Sequence, residues 1–156
     1  MSKIVAVGKK VPAFALPDST GAVWKSKEAL GKNLVVYFYP RDNTSGCTRE
    51  GLDFAELAPA FKKAKTIVVG ISADSVASHQ SFRAKMKFPF ELLSDAEQEV
   101  CKLFDVYKQK SMYGRKYMGI ERSAFLLDAK GALRREWRKV KVPGHAAEVL
   151  AAAQAE

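Results

Sequence analysis

The sequence predicts an α/β domain with a mixed central sheet, helices on both faces of that sheet, and a small hairpin at the N-terminal end. Three observations carry this expectation. Two near-continuous runs of β-branched, aromatic and apolar residues, 33–39 (NLVVYFY) and 66–72 (TIVVGIS), read as strands buried on both faces. Each is followed by a stretch whose apolar residues fall at helical spacing. Towards the C-terminus, apolar runs at 120–127 and 133–137 flank Asp128-Ala129-Lys130-Gly131, a hairpin loop, so the alternation closes with an antiparallel pair.

Taken in order, residues 11–16 alternate, and Asp18-Ser19-Thr20-Gly21 then turns the chain into Ala22-Val23-Trp24. Residues 27–30 read as one helical turn closed by Gly31. Pro40 ends the first buried strand because it has no N–H for the ladder. From about 48 to 63, Phe54, Leu57, Ala58 and Phe61 follow a helical stripe that Pro59 kinks or breaks. After the second buried strand, Asp74 or Ser75 caps a helix reaching about residue 87, with Val76 and Phe82 on its apolar side. Residues 90–93 form a short extended piece and 96–104 an amphipathic helix. Gly144 and His145 precede an Ala-rich C-terminal helix.

The chain has 156 residues, of which 47% are hydrophobic, so a sizeable core is available and disorder is excluded. No Pro/Gly/Ser-rich linker, low-complexity tract or internal repeat divides it, and residues 1–156 are expected to form one domain. No stretch reaches the ~18 apolar residues of a membrane span. The opening MSKIVAVGKKVPAFALPD lacks the layout of a secretory signal, which points to the cytoplasm. The net charge of +9 gathers in two stretches, 108–116 and 134–141. Such charge serves a nucleic acid or an acidic partner, or simply a solvated surface, and no nucleic-acid motif accompanies it. Two cysteines without a C-x-x-C make neither a disulfide framework nor a zinc site.

One of those cysteines sits in YPRDNTSGCTRE, past the first buried strand and before a helix. Open α/β sheets place ligand sites at such strand ends. In the first helical turn the backbone N–H groups are unpaired and the helix dipole is positive, and both favour a thiolate. Arg41 and Arg49 are close in sequence. On position alone, Cys47 reads equally as a reactive thiol and as a small, half-buried loop residue.

Pro40, Thr44 and Cys47 stand as P-x-x-x-T-x-x-C, and this segment resembles the active-site loop of the peroxiredoxins, in particular the bacterioferritin-comigratory (peroxiredoxin Q) family. ELLSD, VCKLFDVY, YGRKYMGIERSAFLLD and WRKVKVPGHAAEVL resemble later segments of that family, in family order across most of the chain. The resemblance implies a thioredoxin-like fold with an N-terminal hairpin and a thiol-dependent peroxidase acting on hydrogen peroxide and organic hydroperoxides. Two histidines without spaced carboxylates do not suggest a metal, and no cofactor is expected. The resemblance further implies that Cys47 attacks the peroxide, that Pro40 and Thr44 shape its pocket, and that Arg122 is the partner arginine. The types suit the chemistry. A thiolate attacks one peroxide oxygen, charge builds on the departing one, and fixed donors stabilise it. Arg122 supplies a charge-assisted donor, the Thr44 hydroxyl both donates and accepts, and the backbone N–H groups of Gly46 and Cys47 are further donors. Glu50 is expected to orient Arg122. Read without the resemblance, Pro40 only ends a strand, Thr44 only caps a turn or helix, and Arg122 only pairs with Glu50 or Glu121.

The chain departs from the family pattern in its second thiol. Leu52 stands where many members carry a resolving cysteine, and residues 75–87 contain none. Cys101 shares a helical apolar stripe with Val100 and Phe104, which reads as a buried structural thiol; as a resolver it would need its helix to unwind. A one-cysteine cycle is therefore expected, with glutathione, thioredoxin or glutaredoxin as the external thiol. Ser45 replaces the family's second loop proline. His79 and His145 read as solvent-facing or capping. The resemblance favours a monomer. Two rival readings use the same residues otherwise: a redox sensor whose Cys47 oxidation is a signal, and a nucleic-acid module using Arg134, Arg135 and Arg138. A disulfide reductase lacks its C-x-x-C.

Overall fold

Strand β3 (Asn33–Phe38) is buried along its whole length and forms the middle of a five-stranded sheet. Our computed structural model describes residues 5–156; residues 1–4, the start of the N-terminal stretch read above, lie outside it. On one side β3 pairs in parallel with β4 (Thr66–Ser72), which pairs in parallel with β5 (Glu91–Ser94). On the other side it pairs antiparallel with β8 (Ser123–Leu127), which pairs with β9 (Leu133–Trp137). The sheet order β5-β4-β3-β8-β9 is thus mixed, as the two buried runs and the late hairpin require.

Alternation along β3 divides the core. Val35, Tyr37 and the following Tyr39 face one side, with Cys47 and Phe54 of α1 (Ser45–Glu56), Phe61 of α2 (Ala58–Lys63), Phe82 of α3 (Val76–Met86) and Val149 of α5 (His145–Gln154). Leu34, Val36 and Phe38 face the other, with Phe104 and with Val100 and Cys101 of α4 (Glu99–Leu103). Pro59 sits in the first turn of α2, where its missing N–H costs nothing, and so separates α1 from α2. The N-terminal hairpin, β1 (Ala15–Pro17) and β2 (Val23–Lys25), closes the second side, and an Asp18–Leu93 bridge ties it to β5. A 3-10 turn, Ser26–Ala29, follows it.

Three expectations change, and one hairpin is added. The run 120–127 is not one strand: β7 (Arg115–Ile120) ends before Glu121 and Arg122, and β8 begins at Ser123. The basic stretch 108–116 is itself folded, as the hairpin of β6 (Tyr107–Met112) and β7, turned through Tyr113 and Gly114, both at positive φ. The helix expected from 96 starts only at Glu99, because the Asp95 carboxylate accepts from the N–H groups of Val100 and Cys101 at 3.3 and 2.7 Å. His79 and His145 are not solvent-facing, with exposures of 0% and 6%. His79 lies between Val76 and Phe82 on the buried side of α3, and His145 packs edge-on against Trp137 and Phe54.

Candidate active site

Tyr39 still donates to Ile71 O of β4, and the chain then leaves the sheet. Residues 40–44 form a loop. Asn43 adopts a left-handed φ of 65°, a conformation its short polar side chain tolerates. Thr44 is the N-cap of α1, and its carbonyl accepts from Thr48 N at 2.8 Å. Its hydroxyl does not cap the helix: it donates back to Arg41 O at 2.9 Å. Ser45, Gly46 and Cys47 therefore form the first turn, where backbone N–H groups have no intrahelical acceptor.

Cys47 points inward at 3% exposure, and Glu50, one turn on, lies on the same face at 1% side-chain exposure. Arg122 reaches both from the joint between β7 and β8. Its Nη1 donates to Glu50 Oε1 at 2.6 Å and its Nη2 to Cys47 Sγ at 3.3 Å. One planar guanidinium thus serves as a fork between a carboxylate and a sulfur. Gly46 makes room for it, since a Cβ there would lie 3.2 Å from Arg122 Nη2. The joint itself is held by Val140 N, which donates to Arg122 O at 2.9 Å.

Two further residues complete the surroundings. Tyr37 lies beneath the site, stacked on Phe54 with ring centroids 4.7 Å apart. Its ring crosses Gly70 on the paired strand, where a Cβ would stand only 2.7 Å from Tyr37 Cζ. Burial, and then the nearby Glu50 and Cys47, push the Tyr37 hydroxyl well above its ordinary pKa of 10.0. Lys110 of β6 is near enough for its charge to feel Arg122 and Cys47. Burial and then Arg122 hold its ammonium below the usual lysine range, while Cys47 pulls the other way. Neither was legible as a site residue, although Lys110 belongs to a basic stretch that the sequence did single out.

Burial pushes Glu50 up to about 7, with the Arg122 cation holding it back. Its second oxygen, Oε2, is buried without a hydrogen-bond partner. Burial disfavours the Arg122 charge, but Glu50 and Cys47 outweigh this and keep the guanidinium above its ordinary pKa. The arrangement presents a sulfur, a fixed cationic donor aimed at it, and unpaired N–H groups of a helix start: donors for charge developing around that sulfur.

The structure therefore brings Cys47, Gly46, Glu50 and Arg122 together, with Cys47 and Arg122 75 residues apart in sequence. Pro40 and Thr44 are exposed on the loop beside them. Cys101 is elsewhere. It is completely buried in the core on the opposite side of the sheet, where burial and then Asp95 push its thiol up. Both thiols are free. The three arginines of the second basic stretch each have a partner within the chain, although Arg134 and Arg135 stay exposed: Arg134 pairs with Glu156, Arg135 lies over Trp137, and Arg138 donates to Phe104 O and Asp105 O. Among the described residues no helix is long and apolar enough to cross a membrane.

The AhpC/TSA family matches residues 7–136. Peroxiredoxin Bcp of Xanthomonas campestris pv. campestris is 55% identical over 144 residues, covering 91% of this chain and 90% of its own. Peroxiredoxin Bcp of Bacillus subtilis is 44% identical over 146 residues, covering 94% and 93%. Among solved structures, a cysteine mutant of Xylella fastidiosa PrxQ superposes with a TM-score of 0.92 at 42% identity, covering 99% of this chain and 98% of that one. The Xanthomonas campestris bacterioferritin comigratory protein gives 0.89 at 46% identity, covering 96% and 98%. With a thioredoxin-like sheet, a cysteine in the first helical turn and an arginine fork upon it, the chain belongs to the AhpC/TSA family, among the Bcp/PrxQ peroxiredoxins, which are thiol-dependent peroxidases.

Proposed function

We propose that Cys47 is the peroxide-attacking thiol of a one-cysteine cycle, resolved by an external thiol. The observation that carries this reading is the 3.3 Å contact of Arg122 Nη2 with a Cys47 sulfur whose only fellow cysteine lies across the sheet. The Cys47 thiolate attacks the nearer oxygen of ROOH. The S–O bond forms, the O–O bond breaks, and the leaving RO⁻ takes a proton to become ROH. Arg122 and the N–H groups of Gly46 and Cys47 stabilise the charge that develops. The Thr44 hydroxyl, its proton committed to Arg41 O, keeps lone pairs free to accept from the peroxide O–H and so orients it. Pro40 is an apolar wall without an N–H to compete. Glu50 holds the guanidinium in place.

The sulfenic acid is then attacked by an external thiol, releasing water and leaving a mixed disulfide, which a second thiol reduces back to Cys47. Glutathione, thioredoxin or glutaredoxin meets this need. The alkyl peroxide reduction activity named for the Xanthomonas campestris protein supports organic hydroperoxides as substrates beside hydrogen peroxide. Family likeness supports a cytoplasmic monomer.

Mass spectrometry after one equivalent of hydrogen peroxide tests the cycle. One added oxygen on Cys47, and steady-state peroxide consumption with thiol that Cys101→Ala retains and Cys47→Ser abolishes, is the expected result. A Cys47–Cys101 disulfide would sink the one-cysteine cycle. Oxidation of Cys47 without turnover would leave a sensor in place of an enzyme.

A further inference from the structure

The loop that carries Pro40 and Thr44 has one buried residue. From 40 to 45 every position is exposed except Asp42, which is 5% exposed. Both oxygens of its carboxylate are engaged. Oδ1 accepts from Tyr39 Oη at 2.6 Å, and Oδ2 accepts from Ser78 Oγ at 2.7 Å and contacts His79 Nδ1 at 2.8 Å. Its backbone N–H donates to Asp74 Oδ2 at 2.8 Å, and Ser72 Oγ donates to that same oxygen at 2.6 Å. His79 is completely buried, and its Nε2 faces Leu93 O at 2.9 Å. A carbonyl only accepts, so Nε2 is the donor in that contact. Asp42, Asp74 and His79 place one ligand atom each within 4.8 Å of one another, yet their atoms already have internal partners, which makes the group a clamp and not a metal nest.

We propose that His79, acting through Asp42, is a positioning residue for the peroxide step. The inference rests on the reading that Cys47 attacks the peroxide and Thr44 orients it. The Asp42–His79 contact fastens the loop to α3, and His79–Leu93 fastens α3 to the end of β5. Thr44 follows the anchor by two residues. Its carbonyl is held by Thr48 N of α1, but its hydroxyl is tied to Arg41 O, next to Asp42, so the direction of that hydroxyl depends on where Asp42 holds the loop. The external thiol that later meets the sulfenic acid needs no oriented Thr44. The clamp therefore acts on one half of the cycle.

Two substitutions separate the two contacts. The amide nitrogen of Asn stands where Nδ1 stood and can keep the Asp42 contact. That of Gln stands where Nε2 stood and keeps only Leu93. Both delete the same buried ring, so their losses of thermal stability should be similar. Cys47 oxidation by hydrogen peroxide is followed by rapid-quench alkylation, and reduction of the sulfenic acid by dithiothreitol is followed separately. His79→Gln should slow oxidation by about tenfold or more, and His79→Asn should stay within about threefold of wild type, since small misplacements of an orienting group cost this much. The dithiothreitol step should not slow in either. Equal slowing in the two variants, or parallel slowing of both steps, overturns the proposal. If neither variant folds, Ser78→Ala removes one donor to Asp42 and leaves the ring in place. It should slow oxidation about two- to threefold and leave the dithiothreitol step alone, and unchanged oxidation overturns the proposal. Wild-type Cys47 that peroxide leaves unoxidised would instead sink the peroxidase reading itself.

Discussion

At the scale of single residues, the site turns on one guanidinium with two duties. Cys47 and Glu50 are three positions apart on one helix, so they present a sulfur and a carboxylate oxygen to the same side. The Arg122 fork spans both, which a lysine's single ammonium on a flexible stem does not reproduce. Arg122→Lys should cut the rate of Cys47 oxidation by about 10²-fold, in the range lost when one oxyanion donor is removed. Arg122→Met should in addition destabilise the fold by about 3 kcal/mol, because it leaves Glu50 buried without its cation. Adding Glu50→Met should restore most of that stability and none of the oxidation rate. Urea unfolding beside stopped peroxide reactions would read the two effects, and recovery of both together would refute the division of duties. Cys47, Thr44 and Arg122 were singled out through the family resemblance of the segments that carry them; position alone left Cys47 open, and nothing local joined Arg122 to it. Asp42 and His79 were not singled out. Asp42 reads as one polar residue of a turn, and a histidine among polar neighbours reads as surface. A signal was nonetheless present, since His79 falls between Val76 and Phe82 at spacings of three, on the stripe that α3 buries.

Elements were legible where burial imposed a period and illegible where it did not. β3 and β4 are buried runs, and sequence fixes such strands well. The hairpin of β6 and β7 is exposed on most of its residues, so no alternation marks it, and Tyr113-Gly114 is a less obvious turn than Asn-Gly. α4 is shorter than its apolar stripe because a side chain upstream, Asp95, takes the N–H groups that an earlier start would have used. α1 offers a test of how local rigidity is set. Ser45 is its first helical residue, and Thr44 before it has φ −82° and ψ 154°, close to the conformation a following proline requires. The N–H that proline would remove has no intrahelical acceptor. Ser45→Pro should therefore stabilise the protein by about 0.4–1 kcal/mol, chiefly by restricting the unfolded chain. A lower urea midpoint in the variant would mean that the loop is strained in a way its backbone angles do not reveal.

For the molecule as a whole, the sheet is what separates the two thiols: alternate residues of β3 send Cys47 and Cys101 to different cores, a consequence of strand periodicity that the order of elements implied and their spacing in sequence could not. The core also holds ionisable groups whose environments oppose one another, and this sets how stability changes with pH. Burial pushes Glu50 from an ordinary 4.5 up to about 7, against the pull of Arg122. The folded chain then binds that proton more tightly than the unfolded one, so its contribution is present below about 4.5 and lost as pH rises through about 7, on the order of 3 kcal/mol in all. Burial, with Arg122 adding to it and Glu148 opposing, depresses His145 from 6.5 to about 4. Here the unfolded chain binds the proton more tightly, so the contribution is present above 6.5 and lost as pH falls towards about 4. Between about 4.5 and 6.5 the two slopes oppose each other, and the wild-type profile should be shallow. Tyr37 and Tyr39, raised well above 10.0 by burial, add a loss only in strong alkali. His145→Asn removes one slope and exposes the other. Whatever the substitution costs at a single pH, the variant's stability should fall steadily from about pH 5 to about pH 7.5 by a few kcal/mol, while wild type changes little. Urea unfolding across that range measures the two profiles, and parallel profiles would show that His145 does not offset Glu50.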